Sequence, residues 1–246
     1  MRTIDIRKKL EEIDFSLDEI KLGDFDYIGE FAAKKNRDQN HPLYKSAGCF
    51  FRPNYERGIL IYSLIKQFRI KSFLEIGFGR GYSAFCAAKA MTDLGIEGKV
   101  VTIDSDFNEA FLKHLTTVFP KRWFDLIEFH SGRSEDVVPS LDGQFDLIYI
   151  DGDHTYEGVK KDWENTKDRF NKFLLFDDYI PKEISSKDEI QCSQLIDEIE
   201  NESKELITMD RRIFFDDRRI PDSEIKYGQV LLTNQDFDTS DYILDW

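Results

Sequence analysis

Phe73-Leu74-Glu75-Ile76-Gly77-Phe78-Gly79-Arg80-Gly81-Tyr82-Ser83 is the stretch whose reading decides the fold. A short apolar run, suited to a buried strand, leads into three glycines at alternate positions, and a helical pattern follows. Glycine serves where a turn needs positive φ or where a side chain would keep a ligand off the backbone, and the helix start beyond it offers free N–H groups. An ordinary strand-to-helix turn is the competing reading, but three glycines in five residues favour a ligand loop. The spacing is G-x-G-x-G rather than the dinucleotide G-x-G-x-x-G. Glu75, two residues before the first glycine, would oppose a pyrophosphate but could bind an ammonium group, directly or through water.

Outward from this loop the texture is that of repeated βα units. Strands are expected at Ser72 to Ile76, Lys99 to Ile103, Leu126 to His130, Phe145 to Ile150 and Phe173 to Phe176, with two more at Leu206 to Asp210 and Gln229 to Thr233. Helices are expected at Tyr82 to Leu94, Asn108 to Val118, Ser134 to Leu141, Tyr156 to Phe170 and Lys187 to Ser203. The fold class is therefore α/β: a doubly wound, mostly parallel, seven-stranded Rossmann-like sheet with helices on both faces. Residues 1–68 carry apolar positions at helical spacing and read as an N-terminal helical extension or lid, ahead of a ligand-binding domain over 69–246.

The second strand ends in Asp104, whose carboxylate is placed for both hydroxyls of a ribose; the alternative is a turn or N-cap acid, a duty for which Asp106 is better placed. After the third strand, Ser131-Gly132-Arg133-Ser134-Glu135 is a small-residue turn that could lie along an adenine edge.

With 34 Lys and Arg against 48 Asp and Glu, the formal charge of −14 would repel phosphate backbones and anionic lipid, so neither nucleic acid nor membrane is an expected partner. No signal core or bilayer-length apolar run is seen, and Cys49, Cys86 and Cys192 are scattered, which points to reduced structural cysteines in the cytoplasm.

In these segments the sequence resembles the class I S-adenosylmethionine-dependent methyltransferases, with LEIGFGRGYS as first motif, TIDSD as second and SGRSED as adenine loop. The resemblance implies that Gly77, Gly79 and Gly81 line the methionine part of the cofactor and that Glu75 meets its amino group. Tyr82 and Ser83 begin the helix closing the pocket, Asp104 with Ser105 holds the ribose, and Arg133 with Ser134 lies at the adenine. Phe78 and Arg80 depart from the small residues usual in that loop.

The fourth strand ends in Asp151-Gly152-Asp153-His154 and the fifth in Asp177-Asp178-Tyr179, so two sets of acids share the carboxyl edge of the sheet, where ligands bind. Like charges this close cost stability unless a cation intervenes, and oxygen donors without paired Cys or His suggest Mg²⁺, or else Ca²⁺ or Mn²⁺. Asp151, Asp177 and Asp178 are the candidate ligands, Asp151 being counted with the cofactor as well; the alternative is loop and N-cap acids in an acidic protein. IDGDHTYEGVKKDW with LLFDDY resembles the metal-dependent O-methyltransferases of the macrocin and novobiocin type, which act on sugars and phenols. That resemblance implies a metal-held acceptor hydroxyl whose proton passes to His154 or Asp153, and histidine suits the task because it titrates near neutral pH. His41, His114 and His130 have no such company, while Phe50, Phe51 and Tyr55 are candidates to roof the pocket.

The expected function is methyl transfer from S-adenosylmethionine to a hydroxyl of a small molecule with Mg²⁺ bound, and a homo-oligomer is compatible with it. A metal-independent N- or O-methyltransferase and a non-catalytic nucleotide-binding module are the alternatives; a nicotinamide dehydrogenase is disfavoured by the glycine spacing.

Overall fold

The computed structural model describes residues 1–5, 55–107, 109–180, 191–200, 203–208 and 228–239. The rest of the expected N-terminal extension, residues 6–54, lies outside them together with Cys49, His41, Phe50 and Phe51. The chain divides into two compact units, residues 16–133 and residues 1–15 with 134–246.

In the first unit, helix α1 (Tyr55–Phe68) leads into β2 (Ser72–Ile76), α2 (Tyr82–Asp93), β3 (Lys99–Asp104), α3 (Glu109–Val118), α4 (Lys121–Phe124) and β4 (Ile127–Ser131). β2 pairs parallel with β3, and β3 with β4. Burial explains the apolar strand runs: Phe73, Leu74, Val100 and Val101 are at most 1% exposed. Each such side chain contributes roughly 1.5–3 kcal/mol relative to exposure. The short helix α4, absent from the sequence expectation, starts directly after Pro120, which terminates α3 and then serves as N-cap.

In the second unit, α5 (Ser134–Val137), β5 (Phe145–Ile150), α6 (Tyr156–Thr166), β6 (Phe170–Tyr179), α7 (Cys192–Glu198), β7 (Lys204–Thr208) and β8 (Gly228–Thr233) follow in order. β5 pairs parallel with β6, and β8 runs antiparallel to β6 on one side and β7 on the other. The strand β1 (Arg2–Asp5) then adds parallel to β7, with Arg2 paired to Glu205. All seven expected strands form, and β1 is an eighth in a segment whose periodicity had suggested helix. Among the described strands of this unit only β8 runs against its neighbours, and in the first unit every described pair is parallel, the pattern of a mostly parallel Rossmann-like α/β fold.

Several boundaries differ from the sequence pattern. The expected helix Ser134 to Leu141 is split into α5 and a 3₁₀ turn, Val138–Ser140, because Pro139 cannot donate to a continuing helix. α7 is shorter than the pattern Lys187 to Ser203 implied, its described portion ending at Glu198. β6 runs beyond Phe176 through Asp177, Asp178 and Tyr179, with a register shift between Phe176 and Tyr179.

Candidate active site

The glycine loop is shaped before any ligand is considered. Gly77, Gly79 and Gly81 all have positive φ, at 95°, 51° and 79°. Gly81 is also the left-handed N-cap of α2, and a Cβ there would overlap the Phe78 ring. Phe78 folds back to meet Phe85, Phe107 and Phe129 at centroid distances of 6.4, 5.3 and 5.5 Å, so the large residue foreign to the expected loop is spent on the core.

Asp104 ties this loop to β3. Its Oδ2 accepts from the Gly79 N–H and its Oδ1 from the Asp106 N–H, both at 2.9 Å. The turn-acid role expected of Asp106 thus falls to Asp104 itself, because an aspartate closes a local turn onto the amide two residues on. Each carboxylate oxygen has further acceptor capacity, so the ribose role is compatible with this geometry. Ser105, the next residue in the chain, is exposed, and Arg133 is exposed as well.

Glu75 is the last residue but one of β2, beside the glycine loop. It is fully buried, and its two oxygens accept from Ser83 Oγ at 2.5 Å and Thr102 Oγ1 at 2.6 Å. Tyr82 and Ser83 are buried with it, so these three groups brace β2, β3 and the start of α2 rather than presenting themselves at a surface. In the second unit Ser134, the first residue of α5, is likewise buried and donates its hydroxyl to Asp162 on α6.

The acids of the second unit separate into a half-exposed cluster and a buried file. Asp151, His154 and Asp178 each offer one donor atom such that all three atoms lie within 4.8 Å of one another. His154 Nδ1 is 3.4 Å from Asp178 Oδ2. Asp178 reaches this position because its backbone is left-handed, φ 53°, at the β6 irregularity, and such a twist re-aims one side chain at a strand end. The two carboxylates offer oxygens that suit a divalent cation, with the His154 imidazole beside them, so the expected ion is compatible with the residues present.

Asp177 is not brought into that cluster. It is 2% exposed, and its Oδ1 accepts from Gln229 Nε2 at 3.1 Å. Asp153 is turned away as well: its Oδ1 accepts from the Thr155 N–H at 3.0 Å, and its side chain lies against Gly158 in the first turn of α6. Of the two candidate bases, His154 is the one beside the acids.

Several site residues carry no signature in the sequence. Gln191 donates its N–H to the His154 carbonyl at 2.7 Å and accepts from the Tyr156 N–H at 2.9 Å, clasping the loop that carries His154. Cys192 Sγ lies 3.9 Å from His154 Nδ1, and burial pushes its thiol up to about 12. Tyr149 and Gln229 are fully buried polar residues behind Asp151 and Asp177. A glutamine at the head of the apolar run Val230-Leu231-Leu232 was the only trace of them. His130 is partly exposed with Glu128 as neighbour, and Cys86 and Cys192 are free thiols, as the sequence led one to expect.

Residues 74–179 match a family model described as a methyltransferase domain. No curated protein matches the sequence. The O-methyltransferase TomG of Streptomyces achromogenes, solved with S-adenosylmethionine, is 18% identical with a TM-score of 0.58, over 87% of this chain and 92% of that one. An O-methyltransferase from Bacillus cereus, solved with S-adenosylhomocysteine, is 15% identical with a TM-score of 0.57, over 93% and 97%. The O-methyltransferase NovP is 16% identical with a TM-score of 0.50, over 89% and 97%. Residues 74–179 thus match a methyltransferase domain, and the chain has the fold of these O-methyltransferases. Among the described residues no helix is long and apolar enough to cross a membrane.

Proposed function

We propose that this protein is a divalent-metal-dependent O-methyltransferase acting on a hydroxyl of a small cytoplasmic molecule, a sugar, phenol or natural-product intermediate. The observation that carries the reading is the convergence of Asp151, His154 and Asp178 at the ends of β5 and β6. Asp151 and Asp178 would hold the ion, while Asp177, the third carboxylate of the two strand ends, lies behind them against Gln229. A divalent ion supplies a lowered pKa for a hydroxyl bound to it and a fixed direction for that oxygen.

The chain's own residues do the rest. His154, its imidazole oriented by Asp178, takes the acceptor proton as the new C–O bond forms and the C–S bond of the sulfonium breaks. The sulfonium leaves as the neutral thioether, so no group needs to stabilise a departing anion. In-line displacement depends mainly on alignment, and the anchoring of the His154 loop by Gln191 supplies one side of it. Residues 1–68 are proposed to shape the acceptor pocket.

Turnover on hydroxylated acceptors should vanish with a chelator and return with Mg²⁺ or Mn²⁺; turnover that survives chelation would establish the metal-independent reading. Asp178→Ala should lower metal affinity and be partly rescued by excess ion. His154→Ala should keep ion and S-adenosylhomocysteine binding while losing about 10²-fold or more in kcat, as loss of a general base does. If Asp153→Ala abolishes turnover and His154→Ala does not, the base is Asp153.

A further inference from the structure

Behind the acidic cluster, three adjacent strands bury a file of polar side chains. Tyr149 on β5 and Gln229 on β8 are 0% exposed, and Asp177 on β6 is 2% exposed. Gln229 Nε2 lies 3.1 Å from Asp177 Oδ1 and 3.3 Å from the Tyr149 hydroxyl, and that hydroxyl lies 3.4 Å from Asp151 Oδ2. The directions follow from the chemistry. An ionised carboxylate only accepts, so the amide must turn its two N–H bonds toward Asp177 and Tyr149, and the phenol must then donate to Asp151.

We propose that Gln229 is a positioning residue for the carboxylates at the ends of β5 and β6, acting on Asp151 through Tyr149 and fixing Asp177, the chain neighbour of Asp178. The assignment rests on the reading that Asp151 and Asp178 hold a divalent ion. A glutamine among Phe176, Val230 and Leu231, all 0% exposed, is costly to bury unless its hydrogen bonds are needed, and an apolar residue would fill the same space without that cost. What an apolar residue cannot do is fix which way two carboxylates point. Groups behind a metal ligand typically change ion affinity by 10–100-fold when removed.

The test is Mn²⁺ binding, followed by the electron paramagnetic resonance of free ion, on the full chain and on Gln229→Met and Tyr149→Phe. S-adenosylhomocysteine affinity by calorimetry and thermal melting are recorded in parallel. Gln229→Met matches the length of the side chain but offers no donor; Tyr149→Phe removes only the hydroxyl, leaving the Gln229 to Asp177 bond. Both variants should weaken Mn²⁺ binding tenfold or more while S-adenosylhomocysteine affinity stays within twofold. A folded Gln229→Met protein with Mn²⁺ affinity within twofold of wild type would make Gln229 a packing residue and overturn the proposal. Should Gln229→Met fail to fold, Tyr149→Phe decides: unchanged Mn²⁺ affinity there refutes the relay to Asp151. Wild-type protein that binds no Mn²⁺ overturns the metal reading itself, and the positioning role with it, before any variant is compared.

Discussion

A single carboxylate does two jobs at the end of β3. Asp104 holds the Gly79 amide and its own turn, and in the methyltransferase reading it also meets the ribose hydroxyls. Asp104→Ala should therefore cost on the order of 2 kcal/mol in S-adenosylhomocysteine binding, more than tenfold in affinity by calorimetry. Asp104→Asn, which keeps one acceptor, should fall between; equal affinity for all three proteins would remove Asp104 from the cofactor site. A second residue-scale expectation concerns Cys86, buried at the base of α2, whose thiol is pushed up to about 12 by burial. A folded-state value above the ordinary one of about 9 means the native protein keeps the proton, so its contribution to stability is complete below pH 9 and is lost as pH rises toward 12. Native protein at pH 8 should leave Cys86 unlabelled by a maleimide in site-resolved mass spectrometry, with labelling complete in urea. Rapid native labelling would show that the α2 core opens.

At the scale of the element, α6 has an entrance built from side chains. Thr155 is its N-cap, accepting from the Gly158 N–H at 3.1 Å, and Asp153 closes the turn before it. Gly158 lets the Asp153 side chain lie flat on the first turn, where a Cβ would overlap it. Glycine-to-alanine exchange in a helix normally gains roughly 0.5–1 kcal/mol. Here Gly158→Ala should instead lower stability, by about 1 kcal/mol in urea denaturation, because the clash removes a turn closure and shifts the loop before His154. A stabilised variant would mean Asp153 leaves that turn without cost. β6 shows the same dependence on one irregularity: without the left-handed residue at Asp178, the alternation of a regular strand would place Asp178 and Asp177 on opposite faces with no local twist to aim Asp178 at His154.

For the whole molecule, a cofactor that binds only the folded chain must raise its stability. S-adenosylhomocysteine at 100 times its Kd should add about 2.7 kcal/mol and raise Tm by several degrees in differential scanning fluorimetry. No shift at saturating ligand would contradict the assignment of residues 74–179. The formal charge of −14 carries a complementary expectation: no mobility shift of duplex DNA at low salt, where any electrostatic affinity would be greatest.

The strand-loop-helix reading was legible in the sequence because its cause is local. Alternating glycines, an apolar run and an acid at each strand end dictate backbone conformation within a few residues, and all seven expected strands stand within a few residues of where the pattern put them. The same locality made Asp151, His154 and Asp178 readable as a group, since parallel strands bring their carboxyl ends to one edge. What the sequence could not decide was which way neighbouring side chains face. Asp177 and Asp178 are adjacent in the chain, yet one is buried against Gln229 and the other meets His154, and a bulge sets that difference. Nor could it place Gln229 behind Tyr149, 80 positions away in the chain, because only the antiparallel return of β8 beside β6 brings the two together. Glu75 shows the limit most directly: its motif names it, but only tertiary packing decides that a fully buried carboxylate takes hydrogen bonds from Ser83 and Thr102.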